Sequence, residues 1–371
     1  VKIAVVAHLK YPIAEPYAGG LEMHTHLLVQ TLKRRGHAVT LFASAGSDPD
    51  LDPVALCDPT GIALDGDADH EVAIHDVERA AYLAMMDLIR AGDFDCVHNN
   101  ALDDLPLRAS AGMTVPWVTV LHTPPFDSLV EGVKAAAPGM TFLAVSSSLA
   151  QTWSEIVPHA QVVGNGIDLA IFAYKAAPEA PFHAIWSGRI VPEKGLHLAI
   201  DAARAAGLPL HFAGPKLDPA YWAAEIAPRL GSDLIDLGHL SHRDLARQIG
   251  QARVAIVSPR WEEAFGLVAA EALACGTPVA AFRRGAMAHV LDVSCGRLAE
   301  PDDADALGAA IREAASLSRR ACRDRAETLF DAEAMTDRYL EVYRHVIQTH
   351  AQPLGRRPKI PSDAREADFA A

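Results

Sequence analysis

The sequence predicts an α/β protein built as two doubly wound parallel-sheet domains that face one another across a cleft. Three observations carry this. The chain has 371 residues and 39.6 kDa, enough for two separate cores at roughly 150 residues per domain. Half of the residues are hydrophobic and 22% are charged, the balance of an ordinary soluble globular protein. Short β-branched runs alternate with longer amphipathic segments in each half independently, the pattern of βαβ units whose helices cover both faces of a parallel sheet.

In the first half, strands are expected at Lys2 to Ala7, Ala38 to Ala43, Asp95 to His98, Trp117 to Leu121 and Phe142 to Val145. Helices are expected between them at about Leu21 to Arg35, Glu71 to Arg90 and Ser147 to Ile156, from the apolar spacing. In the second half the strands are His183 to Ser187, Leu210 to Ala213, Leu234 to Leu237, Val254 to Val257 and Pro278 to Phe282, each followed by a helical pattern. One of those helices opens at Ser241 with Asp244 three residues on, a start resembling a capping box. The Ala-rich, proline-flanked stretch between Asp168 and Pro181 marks the boundary. The expected division is therefore 1–170 and 171–331, then a terminal helix over 332–350 that could pack back across the first domain. The stretch 353–371, rich in proline, reads as a flexible tail.

The formal net charge is −14, and it is unevenly placed. Residues 1–170 hold 9 basic and 21 acidic side chains, against 24 and 26 in the remainder. An acidic face repels polyanions and anionic lipid, so nucleic acid is excluded as a partner and membrane contact is not expected. Cys57, Cys96, Cys275, Cys295 and Cys322 are odd in number and never form a C-x-x-C pair, which argues against a disulfide framework or a zinc site and suits a reducing cytoplasm. The apolar opening, Val1 to Ala7, is too short for a signal peptide. Ala264 to Phe282 is apolar enough to suggest a membrane span, but Glu271, Gly276 and Pro278 interrupt it.

Doubly wound domains bind ligands at the carboxyl ends of their strands, so the loops there are where chemistry is sought. The densest is Trp261-Glu262-Glu263-Ala264-Phe265-Gly266-Leu267, which leads from a strand into a helix that stops at Gly276. Glu263 falls in the loop and Glu271 on the helix. The amides of Phe265, Gly266 and Leu267 lie at the helix start, where free N–H groups and the macrodipole favour an anion. A second loop, Ser187-Gly188-Arg189-Ile190-Val191-Pro192-Glu193-Lys194-Gly195, offers a planar guanidinium fork and a mobile ammonium, two complementary ways of holding a diphosphate. A third, Ala18-Gly19-Gly20-Leu21-Glu22, lacks the last glycine of a dinucleotide fingerprint, which counts against a nicotinamide enzyme. His122 ends a strand where its side chain would enter the cleft. Each motif alone also has a plain structural reading: a solvated loop acid, a basic loop, a core histidine.

Other signals are discounted. The Asp-x-Asp runs at Asp65 to Asp69 and Asp93 to Asp95 follow from an acidic composition. His24 and His26 are two apart on a helix and do not share a face. Lys33-Arg34-Arg35 reads as the cationic end of a helix completing its dipole.

Taken in order, Gly19-Gly20-x-Glu22, His122, Asn165-Gly166-Ile167-Asp168, Gly188-Arg189-x4-Lys194-Gly195 and Glu263-x7-Glu271 resemble the retaining glycosyltransferases of family 4. The resemblance runs from residue 2 to about residue 348. It implies the GT-B fold, two Rossmann-like doubly wound domains facing across a cleft. It implies that Arg189 and Lys194 neutralise the donor diphosphate and that Glu271 holds the ribose hydroxyls. Glu263 contacts the donor sugar beside the amides of Phe265, Gly266 and Leu267. Gly19 and Gly20 lie against phosphates or acceptor, Gly188 turns the diphosphate loop, His122 faces the sugar ring, and the backbone at His239 and Leu240 reads the base. The implied reaction moves a glucose, N-acetylglucosamine or mannose type of sugar to an acceptor hydroxyl with retained configuration. A UDP-sugar is the expected donor and a soluble small molecule or saccharide the expected acceptor, with no metal and no cofactor. A sugar-nucleotide epimerase, a phosphorylase or a non-catalytic nucleotide-binding protein would share the fold. Where the family has a glutamate after Gly-Gly-x-Pro, this chain has His289, and Ala264 replaces a common glycine or proline.

Overall fold

The computed structural model describes residues 1–61 and 68–350. The segment carrying Asp65 and Asp67, and the stretch 353–371, fall outside them. The first sheet has seven strands: β1 (Lys2–Val6), β2 (Ala38–Ala43), β3 (Pro53–Ala55), β4 (Cys96–Asn99), β5 (Trp117–Leu121), β6 (Thr141–Ala144) and β7 (Gln161–Val162). They lie in the order β3-β2-β1-β4-β5-β6-β7. The second has six: β8 (Ala184–Ser187), β9 (Leu210–Ala213), β10 (Leu234–Asp236), β11 (Val254–Val257), β12 (Val279–Phe282) and β13 (Gly296–Ala299), in the order β10-β9-β8-β11-β12-β13. Adjacent strands are all parallel, with Val6 opposite Asn99 and Ala184 opposite Val254. Because helices cover both faces, β4, β5, β8, β11 and β12 are buried along their whole length, and β11 and β12 accordingly read as unbroken apolar runs. In each sheet the winding reverses beside the first strand, between β1 and β4 and between β8 and β11, and a crevice opens at the carboxyl ends there.

The edge strands β3, β7 and β13 are not among those expected from the sequence. Gln161–Val162 is exposed at both residues and Pro53–Ala55 is at most half-buried, so neither presents the apolar run that marks an interior strand. Two helices, Asp104–Ala109 and Asp127–Ala135, were also unexpected. The first is a six-residue element containing Pro106, too short to show a period, and Asp103 starts it by accepting from the Leu105 amide at 2.8 Å. Ser241 caps its helix as expected, accepting from the Asp244 amide at 3.2 Å.

The final helix, Ala332–His350, lies against the first sheet. Arg34 and Arg35 pair with Glu333, and Arg35 reaches Asp337 at 2.6 Å. Lys33 donates to the Leu51 carbonyl at 2.6 Å. The basic run therefore does more than complete its own helix dipole, because the charges clasp the returning helix. Tyr343 bonds His98 at 2.7 Å from the same helix. A contiguous apolar cluster runs from Ile3 and Val5 through Phe265 and Leu273 to Tyr339 and Tyr343, and joins the two halves through packed side chains.

Where the chain crosses between sheets, Ile167 donates to the Phe330 carbonyl at 2.6 Å and accepts from the Ala332 amide at 3.2 Å. Gly166 sits so close that a Cβ there would lie 2.5 Å from Ala332 Cα. Gly166→Ala is expected to cost roughly 1–3 kcal/mol in urea denaturation, as overpacking against backbone does. Gly112→Ala, which meets open space, should stay within about 0.5 kcal/mol of wild type; equal losses in both would show that the crossing is not under close-packing constraint.

Candidate active site

A cavity of about 770 Å³ lies between the carboxyl edges of the two sheets. Of the residues singled out from the sequence, Gly19, Gly20, His122, Gly188, Arg189, Lys194, His239, Leu240, Glu263, Phe265, Gly266, Leu267 and Glu271 line it.

On the second-sheet side, β8 ends at Ser187 and the chain turns through Gly188 and Arg189 into a single 3₁₀ turn, Pro192–Lys194. Ser258, at the end of β11, fixes this loop: its hydroxyl accepts from Trp186 Nε1 at 3.1 Å and donates to the Gly195 carbonyl at 3.0 Å. Arg189 is about one-third exposed, and its one ion-pair neighbour among the described residues is Glu193 at 4.0 Å. The guanidinium fork is thus largely uncommitted. Lys194 Nζ lies 2.8 Å from Glu263 Oε2 and 4.7 Å above the Trp261 ring. Trp261 Nε1 donates to the same carboxylate oxygen at 3.0 Å. Two donors therefore hold one oxygen of Glu263, and no protein group among the described residues bonds the other.

Gly266 starts the next helix, Leu267–Ala274, with φ of 95°. A side chain there would be strained, and its Cβ would collide with Met287 Cε at 1.9 Å. The turn leaves the amides of Phe265, Gly266 and Leu267 without acceptors among the described residues, at the positive end of the helix. Glu271 lies one turn further in, 5% exposed. Burial raises its pKa to about 8, so at neutral pH the acid is mostly protonated. His239 donates through Nε2 to the Tyr17 carbonyl across the cleft at 3.0 Å, and both His239 and Leu240 line the cavity.

The first-sheet side is a buried hydrogen-bonded network. His8, after β1, bonds Glu22 at 2.9 Å. Burial alone would raise the Glu22 carboxyl, but the His8 bond and charge hold it below its ordinary value. Asn100, after β4, is within 2.8 Å of His122 Nε2 and 3.0 Å of His98 Nε2 through one oxygen. An amide oxygen only accepts, so both imidazoles carry their proton on Nε2, and His98 Nδ1 accepts from Tyr343. Burial first, then the neighbouring histidines, drives the His122 pKa far below its usual value. His122 is consequently a neutral ring whose protonated edge is already bonded.

Sequence reasoning missed Asn100 and His98 as parts of the site, although it expected the terminal helix from which Tyr343 reaches His98. A signal was present: His98, Asn99 and Asn100 form a polar run at the end of a strand, and all three are fully buried. Thr123 and Asn165 also line the cavity, each with a buried oxygen that has no partner among the described residues. His289 lies outside the cavity, exposed on a short helix, with its carbonyl accepting from Arg325 at 2.7 Å. His24 and His26 diverge as expected, His26 to Asp48 at 2.7 Å and His24 to the ring of His122. Among the described residues no cluster of His, Cys, Asp or Glu is arranged to hold a metal, and no helix is long and apolar enough to cross a membrane.

Comparison with known proteins matches two family models in tandem. Glycosyltransferase Family 4 matches residues 18–171, and Glycosyl transferases group 1 matches residues 170–328. A glycogen synthase of Mycobacterium tuberculosis is 27% identical over 394 residues, covering 92% of this chain and 95% of the relative. An MMP alpha-(1->4)-mannosyltransferase of Mycolicibacterium hassiacum is 30% identical over 299 residues, covering 70% and 72%. Among solved structures, HepE of Anabaena in complex with UDP-glucose superimposes with a TM-score of 0.71 at 18% identity, covering 93% of this chain and 99% of that one.

The raised Glu271 pKa fixes a pH dependence. The folded chain keeps this proton up to about pH 8, whereas an unshifted carboxyl releases it near 4.5. Stability is therefore lost as pH rises through that interval. Relative to Glu271→Gln, which has no proton to lose, wild type should lose on the order of a few kcal/mol between about pH 5 and about pH 9. Parallel urea-denaturation profiles for the two proteins would contradict this.

Proposed function

Because the chain belongs to the GT-B glycosyltransferases, we propose that it moves a hexosyl group from a nucleoside diphosphate to an acceptor hydroxyl, with the anomeric configuration retained and without a metal. The observation that carries this is the convergence on one wall of the uncommitted Arg189 fork, Lys194 and the free amides at Phe265 to Leu267, with the Glu271 acid beyond them. Cation, ammonium and helix start suit a diphosphate, and a buried acid suits a ribose diol.

Charge builds on the leaving diphosphate in the transition state. Fixed donors in a low-dielectric cleft stabilise that charge without reorganising. Retention by double displacement needs a free carboxylate at the anomeric carbon. Lys194 and Trp261 both donate to Glu263, which weakens it as a nucleophile and suits it to hold a sugar hydroxyl. The acceptor then attacks on the face from which the diphosphate leaves, and the diphosphate takes the proton. His122, neutral and bonded to Asn100, orients the ring and does not act as a base.

Uridine is the proposed base, supported by the UDP-glucose bound to HepE. The relatives are transferases, which does not favour an epimerase, a phosphorylase or a binding-only protein. For the acceptor, the first-sheet end of the cavity carries Glu78 and Asp103, with Lys10. Burial, reinforced by the charges of Asp104 and Glu78, raises the Asp103 pKa. A neutral polyhydroxylated acceptor fits this end better than a phosphorylated one.

The test is an assay with UDP-glucose, UDP-N-acetylglucosamine and GDP-mannose against neutral saccharides and polyols and their phosphate esters, with chelator present. The expected product is a glycoside of a neutral acceptor, retained at the anomeric carbon by NMR. Arg189→Ala should lower kcat/KM about 100-fold or more, as loss of a transition-state charge partner does. An inverted product, or strict dependence on added metal, would overturn the mechanism; preference for the phosphate esters would overturn the acceptor assignment.

A further inference from the structure

The helix Ala68–Ala91 carries apolar side chains on two opposite sides. On the inner side Tyr82, Met85, Met86 and Ile89 are buried against the first sheet, in one cluster with Val6, Phe42 and Val97. On the outer side Val77, Leu83 and Leu88 are 46, 46 and 48% exposed, and the exposed Ala73, Ala80 and Ala84 lie on the turns between them. A single exposed leucine needs no explanation, but a helix that is apolar on both sides is a buried helix with one side uncovered. We propose that a second copy of this chain covers it, the outer faces of the two helices packing antiparallel about a two-fold axis beside Leu83.

The charges along the same face select that occupant. Asp76, Arg79, Leu83, Asp87 and Arg90 are all exposed and recur at intervals of three and four residues, so they form one strip along the helix. Asp76 and Arg90 lie seven residues before and after Leu83, Arg79 and Asp87 four before and after, and within each pair the signs are opposite. An antiparallel copy therefore sets Asp76 of each helix against Arg90 of the other and Arg79 against Asp87, with Val77 beside Leu88. A parallel copy would set each charge against its own kind. Within one chain Arg90 already lies 2.5 Å from Asp87, so the second copy extends an existing pair into a network. A patch that is complementary to itself is what an isologous interface requires, and an anionic bilayer or an unrelated protein has no use for a charge order that reads as its own inverse.

The apolar side chains supply the affinity, since exposed ion pairs each add little, while the charges fix direction and register. Alanine at 80 and 84 lets the two backbones approach closely. Glu78 and Tyr82, which line the cavity, project from the other side of the helix. Pairing therefore leaves both cavities open and braces the element that carries their first-sheet end.

The test is sedimentation velocity of the full chain from about 1 to about 100 μM, the range in which an interface no larger than a helix face associates. Wild type should pass from monomer to dimer across it. Arg79→Glu with Arg90→Glu makes the charged strip wholly acidic, and Asp76→Lys with Asp87→Lys makes it wholly basic. Each double variant alone should remain monomeric, while an equimolar mixture of the two should dimerise at least as tightly as wild type. Circular dichroism should show both to be folded. If either is not, Leu83→Glu takes its place: it sets two carboxylates together on the axis and should abolish the dimer. A wild type that stays monomeric throughout would overturn the proposal, as would a dimer that persists in both double variants. A mixture that fails to associate, with each variant folded and monomeric, would overturn the antiparallel pairing on which the proposal stands.

Discussion

Two stretches of backbone run side by side where the chain passes between the sheets, and the bonds between Ile167, Phe330 and Ala332 hold them in register. This pairing determines that the carboxyl edges of two separately wound sheets share one space. The first crossing delivers β8 and the Gly188–Gly195 loop, and the second returns the chain to the first sheet as the Ala332–His350 helix. That helix then supplies Tyr343 to His98, so the crossing and the floor of the cavity are parts of one packed unit.

The two walls of the cleft are electrostatically unlike. On the second-sheet side are positive groups: the uncommitted Arg189, Lys194 paired with Glu263, and a helix start. On the other, burial holds His24, His98 and His122 neutral, and Asn100 fixes two of the rings by one oxygen. Positive charge is thus concentrated on one wall, while the opposite wall offers shape and oriented dipoles. In a cleft of low dielectric a fixed cation interacts with an anion far more strongly than at the surface. Glu271 follows the same logic in reverse, since burial raises its pKa to about 8 and so keeps its proton at neutral pH.

Much of this was legible in the residues. β1, β5, β8, β11 and β12 announce themselves as buried apolar runs, and the loops after β8 and β11 carry Arg189, Lys194, Glu263 and Glu271 in plain sight. What stayed hidden depends on partners distant in sequence. β3 and β7 are edges without an apolar signature. The role of Arg34 and Arg35 is set by Glu333 and Asp337, about 300 residues away. Nothing local to His122 shows that Asn100 already holds its Nε2, and nothing local to Asn165 shows that its oxygen lacks a donor. His289 was the one departure that raised a question about chemistry, and its exposed position outside the cavity separates it from the residues that line the cleft.

The claim at the centre is that Arg189 and Lys194 form a diphosphate site on one wall of this cleft. It is tested most directly by calorimetric titration of wild type, Arg189→Ala and Lys194→Ala with UDP and UMP. The second phosphate should strengthen binding to wild type by about tenfold or more, the worth of a charge-assisted hydrogen bond, and each variant should lose most of that increment while binding UMP nearly as before. Equal affinities for UDP and UMP in wild type, or an increment that survives both substitutions, would contradict the account.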